Sequence, residues 1–217
     1  MGYQGVVFDF NGTLFWDTLL HNQAWDIFLA RYGFSFSDEE KLKLMHGKNN
    51  ADILALIFQR ELNQQEIASM TEEKEASYRS LCVQKKSQLA PGASELLDYL
   101  KAKQISLTIA TASSPANVDF FFKFFNLARW FQRSLVVCDE GHLPSKPHPA
   151  YYLEACSRLN LKPAQILVFE DSPVGIESAR RAGVGGIIIV DSHGQDYSLY
   201  PYKCITDYKQ VERSLFY

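Results

Sequence analysis

From about residue 89 onward, the sequence alternates short runs of large apolar residues with helix-length stretches, most of which open on proline. Strands are expected at 105–110, 135–138, 166–169 and 186–190. Helices are expected at 91–100, from Pro115, at 149–160 and at 173–182, the last stopped by Gly183. An earlier run, Val6 to Phe8, adds a first strand, and 207–215 reads as a short closing helix. Continuous apolar strands separated by crossover-length helices predict a parallel sheet covered on both faces. The run Phe-Phe-Phe-Lys-Phe-Phe at 120–125 is apolar on every side, which predicts a helix buried between the sheet and its neighbours.

Residues 17–88 interrupt this pattern. They carry helical periodicity and almost no strand signal. Trp25, Phe28, Leu29 and Tyr32 share one face, and Gly33 suits the stop. Ser37 with Glu40 makes a capping box ahead of Leu42 and Met45. Ile53, Leu54, Ile57 and Phe58 form another face, and Asn63 with Glu66 precedes a long charged helix reaching about Lys86. The expected organisation is an all-helical domain, 17–88, inserted into a core made of 1–16 and 89–217.

The chain has 217 residues, 47% of them hydrophobic, enough for a sizeable core. Its formal net charge of -3 argues against nucleic acid or an anionic membrane as a main partner. Cys82, Cys138, Cys156 and Cys204 are scattered without metal-ligand spacing, which suits reduced thiols in a cytoplasmic protein. The first residues lack a basic region ahead of an apolar one, so no secretory signal is expected, and Val6 stands where myristoylation needs Ser or Thr. No apolar run is long enough to span a bilayer. A monomer is the default expectation.

Polar residues recur where the expected strands end. Asp9 follows the first, before the turn-prone Asn11-Gly12. Thr111, Ser113 and Ser114 follow the second, Lys146 stands in a later Ser-Lys-Pro-His-Pro loop, and Glu170-Asp171 follow the 166–169 run. In a parallel sheet these ends face one edge, where ligands of open α/β sheets bind. Clustered carboxylates call for a cation, and oxygen donors suit Mg²⁺. A lysine and such a metal neutralise phosphate oxygens, a hydroxyl adds a hydrogen bond, and a carboxylate can attack phosphorus.

These stations resemble the four motifs of the haloacid dehalogenase-like hydrolase superfamily. Asp9-Phe10-Asn11-Gly12-Thr13-Leu14 looks like the first, Thr111 the second, Lys146-Pro147 the third and Glu170-Asp171 the fourth. Glu170 to Ile176, running on to Gly183, is similar to the β-phosphoglucomutase-like phosphatases and mutases. The resemblance implies an α/β fold, a Rossmann-like parallel sheet core with helices on both faces, plus an inserted all-helical cap domain. It implies Asp9 as nucleophile, with Thr111 and Lys146 holding the phosphoryl group. It implies Mg²⁺ bound by Asp9, Asp171 and the backbone carbonyl of Asn11, with Glu170 beside it. The substrate would be a small phosphorylated metabolite. His21, Lys48 near the 47–50 turn, Ser113 and Ser114 are the candidate substrate contacts.

The sequence departs from that pattern at Asn11, where the superfamily usually carries a second Asp that moves protons. An amide can donate a hydrogen bond but cannot shuttle a proton. Three readings follow: a phosphatase that is slow or whose leaving group needs little protonation, a proton supplied from elsewhere with His21 a candidate, or a phosphate-binding protein without turnover. The Asp-Thr pair usual after the first motif comes one place late, as Asp17-Thr18. A basic residue common in the mutases is missing after Thr111, and Asn50 stands where they show an arginine. Hydrolase is therefore expected ahead of mutase.

Overall fold

The computed structural model describes residues 2–45 and 48–216, with the Leu42 side chain set aside. Gly47 of the expected turn and the Leu42 side chain lie outside what is described. The chain divides into two compact units, one of residues 1–16 and 88–217, the other of residues 17–87.

The first unit is built on five parallel strands: β1 Gly5–Phe8, β2 Ser106–Ile109, β3 Ile166–Glu170, β4 Gly186–Val190 and β5 Lys203–Ile205. Their spatial order is β2-β1-β3-β4-β5. Phe8 pairs with both Ile109 and Phe169, so β1, β2 and β3 end together. The chain leaves β1 to one side and returns to the other, making the end of β1 the switch point where such sheets bind ligands.

The second unit holds α1 Thr18–Arg31, α2 Asp38–Met45, α3 Asn50–Phe58 and α4 Gln64–Gln84. Trp25, Phe28 and Leu29 of α1 pack with Met45, Ile53, Leu54 and Ile57 in one core. Both expected capping boxes form: Ser37 and Glu40 bond reciprocally, as do Asn63 and Glu66. Each satisfies two helix-end amides that would otherwise lack partners.

Four helices complete the first unit: α5 Ala93–Ala102, α6 Pro115–Phe124, α7 Ala150–Arg158 and α8 Pro173–Ala182. Strand alternation sends Val7, Val168 and Ile187 to one face, where Tyr151, Tyr152 and Ala155 of α7 and Ala179 of α8 cover them. Phe8 and Phe169 point to the other face and stack at 4.9 Å, with Phe131 and Tyr208 against Phe8. The sheet is thus covered on both sides, which is why its strands read as unbroken apolar runs.

Three local expectations are corrected. Residues 135–138 are not a strand: a 3-10 turn, Arg133–Leu135, leads to one bridge between Ala110 and Val137. Side chains take the backbone there, Thr108 bonding the Leu135 carbonyl at 2.6 Å and Arg158 the Val136 carbonyl at 2.7 Å. The closing helix is instead two 3-10 turns, Tyr208–Gln210 and Arg213–Phe216. Asp207 and Gln210 side chains accept the Lys209 and Thr206 amides, competing with helical bonds. The phenylalanine helix is not buried all round. Only Phe121 is fully buried, stacking at 4.4 Å on Phe10, while Phe120 and Phe124 are half-buried and stack on each other. Strand β5 was not expected; it is three residues long, and Lys203 and Cys204 are exposed, so it has no apolar signature.

Candidate active site

Asp9 is the first residue past β1, its amide bonded to the Phe169 carbonyl at 2.9 Å. That bond carries the β1–β3 pairing one step beyond the strand and sets the carboxylate at the sheet edge. Lys146 arrives from the loop before α7, and its ammonium lies 2.7 Å from Asp9 Oδ1 and 2.5 Å from Glu170 Oε1. Tyr152 of α7 donates its hydroxyl to Glu170 Oε1 at 2.9 Å. The other Glu170 oxygen accepts the Asp171 and Ser172 amides, each at 2.8 Å, and the Ser172 hydroxyl at 3.1 Å. Both Glu170 oxygens are therefore engaged in holding Lys146 and the turn into α8. Gly175 makes room for this carboxylate: a Cβ there would fall 1.7 Å from Glu170 Oε1.

Asp171 is oriented by Thr13, whose hydroxyl donates to its Oδ1 at 3.1 Å, and Tyr197 donates to its backbone carbonyl at 2.5 Å. Gly12 has φ +79°, and a Cβ there would meet Asp171 Oδ2 at 2.1 Å. Only glycine serves both demands. Asn11 turns its side-chain oxygen to Ser113, which donates at 2.7 Å, and to Thr111 Oγ1 at 3.4 Å. The Ser113 amide bonds Thr111 Oγ1 at 3.1 Å. Ser114 caps α6 by accepting the Asn117 amide.

The electrostatics follow from burial. Removal from water pushes the Asp9 carboxyl well above its ordinary value against the pull of Lys146, and Glu170 and Asp171 add to the push. Burial draws the Lys146 ammonium down, but Asp9 and Glu170 outweigh it and hold it well above its ordinary value. Burial and Glu170 raise the Tyr152 phenol. Asp9, Glu170 and Asp171 are all buried and bring one carboxylate oxygen each within 4.8 Å of the others. Three carboxylates against one ammonium leave excess negative charge, and the donors are all oxygen. That set fits a hard divalent cation such as Mg²⁺.

The structure thus joins Asp9, Lys146, Glu170 and Asp171 in one set of hydrogen bonds and Asn11, Thr111 and Ser113 in another, both at the strand ends of the sheet. His21 and Lys48 belong to the helical unit and do different things there. Lys48 donates to the Leu44 carbonyl at 3.0 Å. His21 sits in a polar cluster, its ring stacked on Tyr78 at 3.9 Å, with Lys74 Nζ 2.8 Å from Nδ1 and Asp17 Oδ2 3.3 Å from Nε2. Thr13, Tyr152, Tyr197 and Lys74 were not singled out from the sequence. Thr13 had a usable signal, since it follows the Asn11-Gly12 turn; the others lie within helices or loops whose facing partners are far along the chain.

The sequence matches the haloacid dehalogenase-like hydrolase family over residues 6–189. It is 30% identical over 213 residues to protein CbbY of Rhodobacter capsulatus, covering 91% of each chain. It is 27% identical over 189 residues to the fructose-1-phosphate phosphatase YqaB of Escherichia coli, covering 85% of this chain and 95% of that one. A solved structure of a HAD hydrolase, family IA, variant 3, from Entamoeba histolytica is similar with TM-score 0.88 and 31% identity, covering 98% of this chain and 97% of that one. With the strand-end geometry and these matches together, the chain belongs to the haloacid dehalogenase-like hydrolase family.

Proposed function

We propose that this chain is a Mg²⁺-dependent phosphatase that hydrolyses a small phosphate monoester through a phosphorylated Asp9. The observation that carries the reading is the approach of Lys146 Nζ to 2.7 Å from Asp9 Oδ1 at the sheet edge, within a buried carboxylate cluster. Asp9 supplies the attacking oxygen. Lys146 and Thr111 hold the oxygens of the transferring group, and Glu170 keeps Lys146 in place. Asp9, Asp171 and the Asn11 backbone carbonyl would hold Mg²⁺, which when bound neutralises charge on the phosphoryl oxygens. The likeness to a fructose-1-phosphate phosphatase supports sugar phosphates as the first compounds to try. Among the described residues no helix is long and apolar enough to cross a membrane, and the four cysteines are free thiols, which supports a cytoplasmic setting.

The test is phosphate release from a panel of small phosphorylated compounds, with and without Mg²⁺, for the natural chain and Asp9→Asn. Metal-dependent release that vanishes in the variant is expected. Full activity in Asp9→Asn would overturn the reading.

A further inference from the structure

We infer that the loop between β4 and β5 is part of the metal-holding apparatus, with Tyr197 a positioning residue that sets Asp171 through its backbone. The inference rests on the phosphatase reading above, in which Asp171 is a Mg²⁺ ligand, and concerns a residue outside the four strand-end stations.

β3 and β4 pair as far as Glu170 with Ile189, so the chain leaving β4 starts beside the Glu170-Asp171 turn. Its first residue, Asp191, is still tied to β5, its amide bonded to the Ile205 carbonyl at 2.8 Å. Asp191 Oδ1 then accepts the His193, Gly194 and Gln195 amides at 3.1, 2.6 and 3.1 Å, closing the loop on itself. Next, the Asp196 side chain accepts the Ser198 amide at 2.9 Å, and the Tyr200 amide bonds the Tyr197 carbonyl at 3.0 Å. Local bonds thus shape the backbone around Tyr197. Its side chain is buried, in a cluster with Ile176 of α8 and Ile189 of β4.

Packing in such a cluster is served as well by phenylalanine. A hydroxyl taken into it has to find a partner. The partner is the Asp171 carbonyl, 2.5 Å away and 26 positions earlier in the chain. Asp171 is then held at three points. Its amide donates to Glu170, its carbonyl accepts from Tyr197, and its Oδ1 accepts from Thr13. The two backbone bonds fix the peptide planes on either side of the Asp171 Cα, and so the direction in which its side chain leaves the chain. Thr13 then sets the carboxylate. Mg²⁺ tolerates little departure from its preferred geometry, so a small rotation at the Asp171 Cα weakens the site. Hydrogen-bond partners behind metal ligands typically contribute about 10- to 100-fold in affinity. Tyr197 reaches the backbone of the ligand, not its carboxylate, which puts its effect at the low end of that range.

The experiment titrates Mg²⁺ into the folded natural chain and its variants by calorimetry, well below their melting temperatures, and reads those temperatures without metal alongside. Tyr197→Phe keeps the ring and deletes the donor, and should raise the Mg²⁺ dissociation constant about 10-fold. Asp191→Ala loosens the loop that carries the ring and should move the constant in the same direction. Tyr200→Phe alters a ring 6.2 Å from Tyr197 and should leave it unchanged. Asp171→Ala should abolish the binding. A role in packing alone would lower the melting temperature of Tyr197→Phe and leave its Mg²⁺ affinity at the natural value. That result, with binding still lost in Asp171→Ala, overturns the inference and leaves the phosphatase reading standing. Equal weakening by Tyr200→Phe overturns it too. Mg²⁺ binding that is absent from the natural chain, or that survives Asp171→Ala undiminished, overturns the inference together with the metal assignment of that reading.

Discussion

Lys146 Nζ lies 2.5 Å from Glu170 Oε1, with the two side chains 2% and 0% exposed. Breaking a buried pair by removing one partner costs about 3–5 kcal/mol, because the other charge is left uncompensated. Glu170→Gln keeps the shape and removes the charge. It should destabilise the core by an amount in that range and lower turnover, as read by urea denaturation and phosphate release. Tyr152→Phe deletes one neutral donor to the same carboxylate and should cost only about 1 kcal/mol. Equal, small losses in both variants would show that the ion pair contributes little.

Gly12 and Gly33 both have positive φ, +79° and +77°, but their surroundings differ. A Cβ at Gly33 meets nothing within 4 Å, whereas at Gly12 it meets Asp171 Oδ2 at 2.1 Å. Gly33→Ala should therefore cost the left-handed strain alone, about 1 kcal/mol. Gly12→Ala should cost more and also displace Asp171, weakening Mg²⁺ affinity measured by calorimetry. Unchanged metal affinity in Gly12→Ala would argue against Asp171 as a ligand.

Lys74 and Glu75 are 2% and 4% exposed and 2.9 Å apart, and Asn50 donates to the same Glu75 oxygen at 2.8 Å. Lys74→Met removes a buried cation from between Glu75 and His21, and should destabilise the helical unit by about 3–5 kcal/mol. In the natural chain, nitrogen NMR of His21 should show Nε2 protonated and Nδ1 bare. A proton on Nδ1 would contradict the Lys74 contact.

Burial pushes the Cys82 thiol up to about 12 from an ordinary value of 9.0. The neighbouring Tyr78 phenol, buried and bonded to Asp17, is raised well above its own ordinary value. Between pH 9 and 12 the unfolded chain has lost the thiol proton while the folded chain keeps it. The folded state then binds more protons, so stability falls as pH rises through this window. Cys82→Ala should flatten that fall by up to one proton per molecule in denaturation series. At pH 8 a thiol reagent should modify exposed Cys204 quickly and the buried Cys82, Cys138 and Cys156 only on unfolding.

The parts of this protein legible in its sequence are those whose free energy is local. Val6 to Phe8, Leu167 to Phe169 and Ile187 to Val190 are apolar throughout because both sheet faces are covered. The Ser37–Glu40 and Asn63–Glu66 boxes form within four residues, so their pattern is their structure. Asp9, Thr111, Lys146 and Glu170-Asp171 could be gathered on paper because parallel strands share an edge. Tertiary structure alone decided which partner each group took. Glu170 holds Lys146 from 24 positions away, Thr13 turns Asp171 from 158 away, and Lys74 meets His21 from 53 away. None of these pairings has a period or a cap to announce it. Each exists because packing removed water from polar groups far apart in the chain and brought them within hydrogen-bond reach.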